Sequence, residues 1–170
     1  MKNIFKHLLT VVVAAVTMLT LSSYKTTNYQ NPEFVEILQM IAEGGDSECP
    51  VDLGDGITMQ HVYLSHNNMV YDYTAPSLMV NDLIACMKID KEGTIDAYIT
   101  SMINDDEVIY FFMLCAESGY GMEFRYRCPE DNTYASIELS AQRLSEFIHS
   151  EFTHDELNEI TNNLFLKYWE

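Results

Sequence analysis

Basic residues are scarce in this chain. Its 170 residues hold nine Lys and Arg against 26 Asp and Glu, a formal charge of −17. A field of that sign repels phosphate backbones and anionic membrane surfaces, so nucleic-acid binding is disfavoured. Signatures of chemistry are missing too. The chain has no G-x-S-x-G elbow, no G-x-x-x-x-G-K-[ST] or G-x-G-x-x-G phosphate loop, and no C-x-x-C pair. No internal repeat or low-complexity segment is present.

Long apolar runs are also lacking, with one exception. Leu8 to Leu21 is almost unbroken, follows Lys2 and Lys6, and leads to the small residues Thr20, Ser22 and Ser23. A basic start, a short apolar core and small residues after it are the parts of a secretory signal. The run is shorter than the ~20 residues a membrane span requires. The reading is a cleaved signal peptide over 1–23, a polar lead-in over 24–30 and one domain over 31–170, with no stable membrane anchor after cleavage. Losing Lys2 and Lys6 leaves seven Lys and Arg against 26 acids, a charge of −19. The expected location is periplasmic or extracellular. There Cys49, Cys86, Cys115 and Cys128 are possible disulfide cysteines, with three fully paired connectivities open.

Periodicity places the elements. Asn31-Pro32 reads as a cap and a first helical residue, with Phe34, Ile37, Leu38 and Ile41 on one face and Gly44-Gly45 as the stop. Asp46 to Gly56 reads as loop. Ile57–Leu64 and Met69–Tyr73 form a hairpin about Ser65-His66-Asn67-Asn68. Leu78 to Met87 is apolar without a clean period. Ile95, Tyr98, Ile99 and Met102 mark a helical face, and Gly93 weakens its start. Asn104 reads as the next cap, with Glu107 completing a capping box and Gly119 ending that helix. Tyr120, Met122, Phe124, Tyr126 and Cys128 alternate with polar residues, turn through Pro129–Asn132 and return over Thr133–Leu139. Ser140 and Thr153, the latter with Glu156, start two last helices. The expectation is one α+β domain of order α-ββ-αα-ββ-αα. Its two hairpins make an antiparallel sheet covered by the helices.

The stretches CPVDLGDGITM, VYDY, FFMLCAESGYGMEFRY and IELSAQRL, within about residues 48–145, resemble small exported proteins of unknown function from gut Bacteroidetes. The resemblance implies a shared fold and an exported location. It brings no catalytic residues.

Few side chains suggest a site. Arg125 and Arg127 face away from the aromatics of their strand, and two guanidinium groups there suit a carboxylate or phosphate. Their competing use is pairing with Glu138 across the hairpin and with Glu123. Arg125, Arg127, Glu123 and Glu138 are therefore the candidate ligand-binding set. Asp46, Glu48, Asp52 and Asp55 crowd one loop but miss the spacing of a calcium loop. His149 and His154, five apart, fall on different helix faces. His61 shows no paired acid, and Cys49 with His61 or His66 is the one conceivable thiol pair. Tyr71, Tyr73 and Tyr134, if exposed, would make a sticky face. No cofactor and no metal are expected. The expectation is a non-enzymatic exported module binding a protein, peptide or cell-surface ligand through its sheet or an edge strand. The alternative is a small hydrolase built on the second hairpin.

Overall fold

The computed structural model describes residues 32–103 and 105–169. The signal-peptide and lead-in readings, and the caps assigned to Asn31 and Asn104, lie outside them. The order is α1 (Pro32–Glu48), β1 (Val51–Gly54), β2 (Ile57–Ser65), β3 (Asn68–Thr74), α2 (Ser77–Ile89), α3 (Lys91–Met102) and α4 (Asp106–Ser118). β4 (Gly121–Arg127), β5 (Tyr134–Leu139), α5 (Ala141–Glu151) and α6 (His154–Trp169) follow. The α+β class stands, but the order is α-βββ-ααα-ββ-αα.

The five strands lie in the order β1-β2-β3-β4-β5. β1, β2 and β3 pair antiparallel, as do β4 and β5, but β3 and β4 run parallel. The sheet is thus mixed, which corrects the purely antiparallel expectation. A parallel neighbour needs a long crossover, and the three helices between Thr74 and Gly121 supply it.

Three local readings are corrected. Gly44-Gly45 does not end α1. The Asp46 carboxylate accepts the Val62 N–H at 3.2 Å and Ser47 Oγ donates to the Gly44 carbonyl at 2.7 Å, so the last turn is tied in place beyond the glycines. Four residues of the expected loop are strand β1, paired with β2 across a two-residue turn. Asp55 and Gly56 there have φ of 54° and 75°, the left-handed pair that a type I′ hairpin demands. The apolar Leu78–Met87 segment is helix α2, in which Val80 alone is fully buried and Leu78 and Ile89 are exposed. That leaves little amphipathic period to see.

Other readings are matched in detail. Gly119 takes φ 75° and closes α4, with Tyr120 N–H donating to the Cys115 carbonyl and Gly119 N–H to that of Ala116. Ser140 Oγ accepts the Arg143 N–H at 3.1 Å. Thr153 and Glu156 form their capping box through bonds of 2.8 and 3.4 Å. At α4 the cap is Asp105, whose carboxylate accepts the Glu107 N–H at 3.0 Å. Gly93 is explained by the same kind of cap: a Cβ there would collide with the Asp90 carboxylate that accepts its N–H.

Parallel register at the β3/β4 seam sets Tyr71 beside Phe124 and Tyr73 beside Tyr126. Their rings stack at 5.4 and 5.0 Å, and the Tyr98 ring meets Phe124 edge-on at 5.0 Å. Tyr98 and Tyr126 hydroxyls share a 2.6 Å hydrogen bond. Around this ladder lie Phe111, Phe112, Met122, Ile137 and Leu139, all buried. The opposite face carries His61, Tyr63, Asp72, Glu123, Arg125, Arg127, Tyr134 and Glu138, all half-buried or exposed.

Candidate functional site

Alternation along β4 sends Glu123, Arg125 and Arg127 to the polar face, but the structure does not make the two arginines a pair. Arg125 donates from Nε and one terminal nitrogen to both Glu123 oxygens, at 2.8 and 2.7 Å. Its other terminal nitrogen donates to the Tyr63 hydroxyl at 2.7 Å, and Tyr63 donates on to Asp72 at 3.1 Å. The Glu123 hydrogen bonds hold the guanidinium firmly protonated, while burial and the Asp72 charge push the Tyr63 phenol up. This is a closed Asp72–Tyr63–Arg125–Glu123 chain.

Glu138 stands apart from it. Register opposes Glu138 to Glu123, and Arg125 to Ser136, so no arginine reaches Glu138. Asn68 donates to it at 3.0 Å. Arg127 is exposed at the far end, opposite Tyr134. The sequence therefore pointed to Glu123 and Arg125 but not to Tyr63 and Asp72. Those lie on the first hairpin, and only the parallel seam brings them alongside.

The remaining candidates scatter. All four cysteines are free thiols. Cys115 and Cys128 are fully buried, and burial pushes the Cys115 thiol far up. Cys49 donates to the Gly45 carbonyl at 3.3 Å, and burial with Asp46 and Glu48 nearby raises its pKa, the reverse of nucleophile activation. It does not meet His61 or His66. His61 Nδ1 lies 3.0 Å from Asp46, a paired acid that the sequence concealed, and His66 Nδ1 lies 3.1 Å from Ser65 Oγ. Asp46, Glu48, Asp52 and Asp55 are spread over a helix end, a strand and a turn. Among the described residues no cluster of three His, Cys, Asp or Glu has a metal-holding arrangement. His149 and His154, expected on different faces, instead line one cleft of about 40 Å3 with Glu117, because the extended break at Phe152 redirects the chain between them. Tyr71 is buried and Tyr73 half-buried in the aromatic ladder, while Tyr134 is exposed, so the three form no shared surface.

A groove remains that no sequence motif announced. β1 covers β2 only as far as Met59. Beyond it, the pairing of β2 with β3 turns the peptide groups of Val62 and Leu64 away from the sheet. Asp46 takes the Val62 N–H and Val62 itself is fully buried, which leaves the N–H and carbonyl of half-buried Leu64 on this edge. Beside this edge α1 presents Val35, Gln39, Glu43 and Asp46 along one stripe, and the two elements line a groove of about 630 Å3 together with Tyr120. Tyr63, braced by Arg125, also lines it.

No family model matches the chain, and no curated protein matches it. Among solved structures, a candidate secreted protein from Pseudomonas aeruginosa has a similar fold. It shares 11% identity over 70% of this chain and 99% of that one, with a TM-score of 0.52. The comparisons add nothing to the resemblance to Bacteroidetes proteins. Among the described residues no helix is long and apolar enough to cross a membrane. The shared property is therefore the fold.

Proposed function

We propose that the chain is an exported, non-enzymatic binding module that adds an extended polypeptide strand to the open edge of β2. Export rests on the amino-terminal pattern of basic, apolar and small residues. The binding reading rests on the groove between α1 and β2, where the main chain of half-buried Leu64 lies beside an apolar floor. An open edge with a helix alongside suits strand addition, in which main-chain hydrogen bonds give affinity and flanking side chains give selectivity.

The polar face enters this reading as support. Arg125 and Glu123 hold Tyr63 at the groove, and Arg127 and Glu138 extend the same face outward. Support for binding over a small hydrolase comes from the guanidinium of Arg125, which is turned onto its own carboxylate. The test is selection of octapeptides from a random library on the full chain, followed by amide hydrogen exchange. Protection gained at Leu64 and along β2 is the expected result. Selected peptides that instead protect β4 and β5, or a selection that yields no binder, would refute the proposal.

A further inference from the structure

We infer, building on that reading, that the extended segment taken by this groove carries a Lys or Arg, whose cation is held near the end of α1 by Glu43 and Asp46. Both acids line the groove and both are exposed. They stand three residues apart on one helix, so their carboxylates are neighbours of like charge. They also lie toward the C-terminus of α1, where the aligned peptide dipoles leave a partial negative charge and a basic residue is the favourable one. The last turn of α1 holds no basic residue, and Glu48 ends it. These charges oppose their own helix unless a cation arrives from elsewhere.

The described residues do not supply that cation. Neither a Lys nor an Arg lines the groove. Arg125 is bound to Glu123 and Tyr63, and Arg143 pairs with Asp96 and Glu92. Lys88 and Lys91 are exposed where α2 meets α3, and Arg127 is exposed at the far end of β4. Gln39 donates to one Glu43 oxygen at 3.0 Å, which orients the carboxylate without neutralising it. On Asp46, Oδ1 takes the Val62 N–H and lies against His61 Nδ1, a cation only when protonated. The other oxygen of each carboxylate has no protein partner among the described residues. Leu64 lines the same groove, so a strand bonded to its main chain lies beside these carboxylates. The formal charge of −17 adds to the same preference at longer range.

The probe is a blocked octapeptide of Thr and Val with one Lys, placed in turn at each position, against the same peptides with Gln or Glu there. The host is the full chain with Lys25→Gln, which removes the nearest basic residue before α1 as a competitor. The measurement is made at pH 8, where an ordinary histidine is neutral. At low salt the best Lys peptide should bind roughly fivefold tighter than its Gln counterpart, with the Glu peptide weakest and the margin shrinking at high salt. Host Glu43→Gln, an exposed change that keeps an acceptor for Gln39, should cut that margin to about twofold. Glu43→Lys should reverse it in favour of the Glu peptide. Equal binding of Lys and Gln peptides at every position, or a margin that neither Glu43 change moves, overturns the inference; Leu64 protection then leaves strand addition standing. Self-association abolished by Lys88→Glu would put a second copy in the groove and overturns it too. If no peptide protects the Leu64 amide, strand addition fails and this inference with it.

Discussion

Phe124 and Arg125 are chain neighbours on opposite faces of one strand, and they show two ways of holding a sheet. On Phe124's side the rings of Tyr71, Tyr73 and Tyr126 stack and Tyr98 meets Phe124 edge-on, largely withdrawn from solvent. The contribution there scales with buried area and tolerates no vacancy. On Arg125's side, bonds to Glu123 and Tyr63 form under partial solvent, with side-chain exposures of 30% for Arg125 and 15% for Glu123. There water competes for each partner, so the net gain is smaller. Cohesion comes from the first face and orientation from the second.

Substitutions separate the two. Phe124→Ala should cost about 3–5 kcal/mol in denaturant unfolding, since it removes a ring from the middle of the ladder. A loss under 1 kcal/mol would mean that the ladder is not the main source of cohesion. Alkali tests the same face by charge. Burial holds Tyr71 neutral far above its ordinary range. A raised folded pKa means that the contribution is intact below the unfolded pKa of about 10 and fades as pH rises past it, when only the unfolded chain ionises. Stability should fall by about 1.4 kcal/mol per pH unit for each such tyrosine above pH 10, and Tyr71→Phe should flatten that slope. The smallest effect belongs to the polar face. Arg125→Gln should cost about 1–2 kcal/mol, between exposed and buried ion pairs, and Glu123→Gln added to it should cost little more. Additive losses in that double-mutant cycle would dissolve the pair as a unit.

What the sequence made legible was local. The alternation of β4, the caps at Ser140 and Thr153 and the glycine stop at Gly119 each depend on residues within a few positions, and each is found where expected. Strand β1 was legible in principle, because Asp55-Gly56 flanked by Val51, Leu53 and Ile57 is a hairpin signal that the surrounding acids obscured. Helix α2 was not, since its apolar residues circle the axis and two of the largest face solvent. The parallel seam and the Tyr63–Arg125 contact join segments far apart in the chain, and no periodicity within either segment records its neighbour. The groove is hidden for the same reason. It consists of main-chain groups left over by a strand that stops early.

That seam also has a consequence for how the chain folds. Asn68 and Gly121 are register partners separated by more than fifty residues, whereas each hairpin closes over a handful. The hairpins are therefore low in contact order and the seam is high, so the two halves form early and the joint waits for three helices to collapse between them. Amides of β3 and β4 along the joint will exchange only when the whole domain opens, while those of four-residue β1 will exchange by fraying. The middle of the sheet is then its last part to assemble and its last to be lost.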